Sequence, residues 1–195
     1  MQNKSNFNFL SIVCALIVPL LVTGPFLPDL LVSVSALWFI YYTIKHKIFY
    51  IYKNYYFYIF ILFCLVCILS SVLSEDIFLS FESSLFYFRI GIFALLISFL
   101  IDQNKKILDY FYYSFILTFM ALLTDGYVQY FTGFNIFGYP LDIATGQMGM
   151  RVSSFFGDEL ILGSYLVRLS PLLLALFVVR KDKTSIEMYC FSFFQ

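Results

Sequence analysis

Long apolar runs alternate with short polar breaks along the whole chain, and those runs set the elements. A helix that crosses a bilayer needs about 20 mostly apolar residues. Six runs meet or approach that length: residues 7–22, 27–44, 55–73, 84–101, 107–124 (with an extension to 130 left open) and 159–179. The pattern predicts an all-α, polytopic membrane helix bundle with about six transmembrane helices. Thr23-Gly24-Pro25 is a tight hairpin signal between the first two runs. Pro19 and Pro171 fall inside runs, which a membrane helix tolerates when its neighbours satisfy the carbonyls that proline frees. No small-residue cleavage site follows the first run, so it reads as a retained helix rather than a signal peptide. The transmembrane domain is expected over 1–183. Residues 184–195 form a short tail that begins a new apolar run and reads as a truncation point.

Composition agrees. Hydrophobic residues make up 62% of the 195 and charged residues 12%, where a soluble domain carries about 25% charged residues. A soluble core of this size could not hide so much apolar surface, so lipid is the expected solvent.

Net charge is zero, but the charges are sorted along the chain. Lys4 precedes the first run. Lys45, Lys47 and Lys53 lie between the second and third, Lys105 and Lys106 between the fourth and fifth, and Arg180, Lys181 and Lys183 after the sixth. The alternate connections hold no lysine; they carry Asp29, then Glu75, Asp76 and Glu82, then Asp125, Asp142, Asp158 and Glu159. By the positive-inside rule the lysine side is the cytoplasm, and both termini are cytoplasmic. Tyr50 to Tyr58 reads as an interfacial aromatic belt.

Cys64 and Cys67 form a C-x-x-C pair inside an apolar run with no second ligand pair. They read as small side chains facing helices or lipid, and the sequence asks for no metal and no cofactor. The single histidine, His46, sits in a juxtamembrane Lys-His-Lys cluster.

Arginine departs from the lysine pattern. Arg89 lies about seven residues past Glu82 in the fourth run, and Arg168 about nine past Glu159 in the sixth. At 1.5 Å per residue those offsets are roughly 10 and 13 Å below the outer surface. A charge at such depth costs a few kcal/mol and usually faces a bundle interior or a wet cavity. Arg151 stands in the outer loop just before the sixth run. One reading is an outward-facing anion site, since guanidinium grips phosphate in a bidentate fork. The other is that each arginine pairs with a nearby acid, Arg89 with Glu82 for example, or snorkels to the surface.

The outer loop, residues 131–158, is rich in glycine and in aromatic residues, among them Phe134, Phe137, Tyr139, Phe155 and Phe156. Its aromatic content argues against disorder. Rings beside polar groups suit either a sugar or the membrane surface.

Three strings within and around this loop resemble the O-antigen ligase and O-antigen polymerase family. They are Asp125-Gly126-x-x-Gln129-Tyr130-x-x-Gly133, Phe137-Gly138-Tyr139, and Arg151-x-Ser153-x-Phe155-Phe156-Gly157-Asp158-Glu159-x-x-x-Gly163-Ser164-Tyr165. Arg89, in SLFYFRIGIFALLISF, fits an arginine of that family's fourth-span region. The resemblance runs from about residue 78 to 179.

It implies an inner-membrane protein of lipopolysaccharide biosynthesis. Such a protein transfers glycan from an undecaprenyl pyrophosphate carrier on the periplasmic side. A ligase delivers it to a lipid A-core sugar and a polymerase to another repeat unit, in both cases without metal. Membrane lipid, the undecaprenyl-pyrophosphate-linked glycan and the glycan acceptor are the implied partners, and nucleic acid is not. On matched positions Arg89, Arg151 and Arg168 are the pyrophosphate candidates. Asp125, Gln129, Tyr130, Asp158 and Glu159 are candidate glycan or loop contacts, and no catalytic residue is named. The family has about twice as many spans, with a large second periplasmic loop and, in ligases, a functional histidine, so this chain reads as the first half of such a protein. The alternatives to a ligase are a polymerase, a transporter whose arginines line an anion path, or an inactive fragment.

Overall fold

A computed structural model describes residues 2–143, 150–157 and 159–193, with side chains over 7–82, 84–141, 151–157 and 159–180. The elements in chain order are α1 (Gln2–Ala15), α2 (Ile17–Leu20), α3 (Phe26–His46), α4 (Tyr55–Val72), α5 (Ile77–Leu85), α6 (Phe88–Gln103), α7 (Lys106–Thr132), β1 (Asp142–Ile143), β2 (Met150–Arg151) and α8 (Leu162–Phe193). Single 3-10 turns cover Phe49–Tyr52 and Ser154–Phe156. The fold is helical apart from a hairpin of two-residue strands, in which Asp142 pairs with Arg151 and Ile143 with Met150.

Four stretches among the described residues are long and apolar enough to cross a membrane: Phe26–His46, Tyr55–Val72, Lys106–Thr132 and Leu162–Arg180. They correspond to four of the six predicted spans. The other two fall short, each because a helix breaks. The first run is interrupted at Leu16, where α1 gives way to α2. The fourth is interrupted at Phe86–Tyr87, which leaves α6 with 16 residues. That is roughly 24 Å, against a hydrocarbon core of about 30 Å.

The chain divides into two compact units, one made of residues 1–27 and 105–195, the other of residues 28–104. In the second unit, α3 and α6 meet through Phe39 and Phe99, whose ring centroids lie 5.7 Å apart. Gly91 of α6 receives the Phe60 ring of α4 where any side chain would collide with it. A serine seam ties α5 back onto α4. The Ser71 hydroxyl lies 2.9 Å from Ser84 Oγ and 3.1 Å from the Ser80 carbonyl, and Ser74 and Ser80 hydroxyls meet at 2.7 Å.

In the first unit, the two interior prolines show how helices without water keep their carbonyls satisfied. Pro19 has no N–H to return to the Ala15 carbonyl. The Ser114 hydroxyl of α7 donates to it instead, at 2.7 Å. The Val18 carbonyl at the end of α2 accepts from the Tyr165 hydroxyl of α8, at 2.8 Å. Pro171 of α8 likewise frees the Val167 carbonyl, which the adjacent Ser170 hydroxyl takes at 3.1 Å. A neighbouring helix therefore satisfies the carbonyl freed by Pro19, as expected, whereas the one freed by Pro171 is met from within α8 itself.

Candidate functional site

The C-terminal end of α7 carries a dense polar cluster. Helix α7 has 27 residues, roughly 40 Å, so it is about 10 Å longer than the hydrocarbon core. Its last two turns hold Asp125 and Gln129, both fully buried. Gly133 caps the helix with a left-handed φ of 83°, its N–H donating to the Gln129 carbonyl at 2.9 Å.

From there the chain folds back on the helix. Asn135 and Tyr139 close a turn, in which the Tyr139 N–H donates to Asn135 Oδ1 at 2.8 Å and the Asn135 N–H donates to the Tyr139 carbonyl at 2.9 Å. The Ile136 N–H donates to Asp125 Oδ1 at 2.9 Å. After the β-hairpin the chain returns to the same spot. Gln129 Oε1 accepts from the N–H groups of Ser153 and Ser154, at 3.0 and 2.7 Å, while its amide nitrogen donates to Ser153 Oγ at 3.1 Å. The Ser154 hydroxyl lies 2.8 Å from Asp125 Oδ2 and 3.0 Å from the Leu122 carbonyl. Asn135 Nδ2 donates to the Ser154 carbonyl at 2.6 Å.

Ser154 sits at φ 52°. A non-glycine residue in that region costs on the order of 1–3 kcal/mol and persists only when its surroundings over-determine it. Here its N–H, carbonyl and hydroxyl are all engaged at once. Gly126 lets the returning strand approach, because a Cβ there would meet Val152 at 3.3 Å. Gly157, at φ 62°, lies under the Tyr139 ring.

The predicted site residues take different places. Asp125 and Gln129 are latch residues that offer nothing to solvent in this arrangement. Tyr130 is exposed and packs its ring on Phe131, centroids 5.3 Å apart. Glu159 is exposed, and its N–H donates to the Phe156 carbonyl at 3.1 Å. Asp158 lies outside the described residues. Arg151 is exposed on β2, directly before the latch. Arg168 is exposed on α8, with no ion pair or hydrogen bond among the described residues.

Arg89 belongs to the other unit. It lies in the first turn of α6 rather than two turns inside a continuous helix, because of the break at Phe86–Tyr87. A cation is unfavourable at a helix N-terminus. An acid compensates it: Arg89 Nη2 lies 2.5 Å from Asp29 Oδ1 and Nη1 donates to Ser33 Oγ at 2.9 Å. The acid is Asp29 of α3, and Glu82 only lines the same notch. Arg89 Nε is buried with no hydrogen-bond partner among the described residues.

Sequence reading alone did not find Ser154, Asn135 or the Asp29 partner. An Asn-x-x-Gly turn was a visible signal for Asn135; Ser154 and Asp29 gave none.

Four apolar, membrane-length helices make this a helical membrane protein. Comparison with known proteins finds no match to a family model, a curated protein or a solved structure.

Proposed function

We propose that the chain takes part in glycosyl transfer from an undecaprenyl-pyrophosphate-linked glycan at the periplasmic face of a bacterial inner membrane, in the manner of an O-antigen ligase. In this reading α1 with α2, α3, α4, α5 with α6, α7 and α8 make six crossings, both termini are cytoplasmic, and the loop 131–158 is periplasmic. The lysine placement supports that orientation.

The observation that carries the reading is the latch. Asp125, Gly126, Gln129, Ser153 and Gly157, which carry the family resemblance, are separate in sequence yet packed into one unit. That unit fixes the strand bearing Arg151. Arg168 supplies a second guanidinium on an apolar helix, where a charge costs a few kcal/mol unless something anionic meets it. Arg151 and Arg168 are the proposed pyrophosphate ligands. Arg89 already has a carboxylate, and its proposed part is to fix α3 against α6.

The test is binding and transfer in proteoliposomes. Undecaprenyl pyrophosphate is expected to bind more tightly than the monophosphate. Arg151→Lys and Arg168→Lys should each weaken binding by roughly tenfold, since the charge stays while the fork is lost. Transfer to a lipid A-core acceptor marks a ligase, and transfer to a second repeat unit marks a polymerase. Equal binding of both carriers, unchanged in the two variants, overturns the reading.

A further inference from the structure

Two cavities of the first unit meet at Val22, Thr23 and Phe155. The larger, about 670 Å³, runs along α1, α2 and α7, from Ile12 and Tyr110 to Leu122. The Phe137 and Phe155 rings, 5.4 Å apart, line its far end. Ala15, Ser114 and Ala121 open it by their small size, and its only polar side-chain atoms are hydroxyls. The Ser114 hydroxyl is already committed to Ala15. The smaller cavity, about 500 Å³, adds Tyr139, Gly157 and Glu159. An apolar channel thus leads into a polar mouth.

The dimensions select among ligands. Tyr110 and Leu122 are twelve residues apart on one helix, roughly 18 Å. One leaflet of the hydrocarbon core is about 15 Å deep. The channel therefore matches a chain that spans a single leaflet and is too short for a long polyprenyl tail. Charge selects further. Glu159 is the charged residue among the described residues lining the two cavities, and neither lysine nor arginine joins it. A carboxylate at the mouth attracts an ammonium and repels a pyrophosphate.

We propose that this double cavity holds one acyl chain of an amine-headed zwitterionic phospholipid, the chain in the channel and the ammonium beside Glu159. The site is separate from the proposed pyrophosphate ligands and does not rest on them. The lipid would brace α1 and α2 against α7 at the level where Pro19 interrupts the helix.

The experiment is native mass spectrometry of the full chain released from bilayers of equal parts phosphatidylethanolamine and phosphatidylglycerol. One phospholipid per chain should be retained, with phosphatidylethanolamine favoured several-fold. Ala121→Phe fills the channel and should abolish retention. Glu159→Gln should keep a lipid but lose the headgroup preference. A second measurement guards against a misfolded Ala121→Phe: phosphatidylethanolamine with a photoreactive group at the chain end should label wild-type peptides containing Ile12 or Tyr110. No retained lipid in wild type, a preference for phosphatidylglycerol, retention of an undecaprenyl chain instead, undiminished retention in Ala121→Phe, or labelling confined to α3–α6 would each overturn the proposal.

Discussion

Asp125 and Gln129 are four residues apart on one helix face, yet substitution should affect them unequally. Asp125→Asn retains an acceptor for the Ile136 N–H, and Ser154 can turn its hydroxyl to accept from the new amide, so the loss should be about 1 kcal/mol or less. Gln129→Glu keeps the acceptor for two N–H groups but removes every donor. It also places a fully buried carboxylate opposite the Tyr139 and Pro140 carbonyls, which the wild-type amide nitrogen faces at 3.4 and 3.3 Å. That change should cost several kcal/mol or force protonation. Limited proteolysis of the loop in proteoliposomes reads the difference: cleavage near wild-type rates for Asp125→Asn, and at least tenfold faster for Gln129→Glu. Both residues were visible in the sequence as members of a motif, but their role was not. A fully buried side chain and a ligand-facing one look alike in a string of letters. Ser154 was invisible for a stricter reason, since nothing about a serine announces a left-handed backbone. Nor could the pairing of Arg89 with Asp29 be read, because it joins residues 60 positions apart through the packing of α3 on α6.

At the scale of elements, the long helices followed directly from the apolar runs, and their two failures are instructive. The break at Phe86–Tyr87 falls within the short apolar string 85–88, which holds neither proline nor glycine, so hydropathy passes over it. The serine seam that holds α5 on α4 ends directly before it. The break at Leu16 was signalled by Pro19, although the sequence suggested only a tolerated proline. The contact between α4 and α6 gives a sharp test. Replacing a helical glycine with a better helix former contributes about 1 kcal/mol of propensity. At Gly91 the new side chain meets the Phe60 ring, and overpacking costs about 1–3 kcal/mol. Gly91→Leu should therefore destabilise the second unit in a detergent unfolding titration. Phe60→Ala in the same chain should recover part of the loss, whereas independent sites would simply add.

For the whole molecule, the lysine asymmetry makes the strongest statement. It requires residue 140 and the segment after residue 183 to lie on opposite sides of the membrane. Reporter fusions at those two points should give opposite signals, and equal signals would end the six-crossing proposal. The charge sorting that predicts this was legible because it depends on loops, whose composition needs no tertiary structure to interpret. The division into two units was not legible, since the first unit joins residues 1–27 to residues beyond 104.

That division, together with the proline of α2, sets an order of events in synthesis. The Ala15 carbonyl waits for a hydroxyl 99 residues downstream. At about 5–20 residues per second the wait is roughly 5–20 s. Throughout it the carbonyl must stay near water or the insertion machinery, since in hydrocarbon an unpaired group costs several kcal/mol. The Val167 carbonyl has no such delay, because Ser170 follows it at once. On the six-crossing proposal, the first crossing is thus completed late, by a helix made long after it. In a chain stopped at residue 104, Cys14 of α1 should react with a water-soluble maleimide, while in one stopped at residue 132 it should be shielded, as it is in the full chain. The Ser114→Ala form of the longer chain should resemble the shorter one.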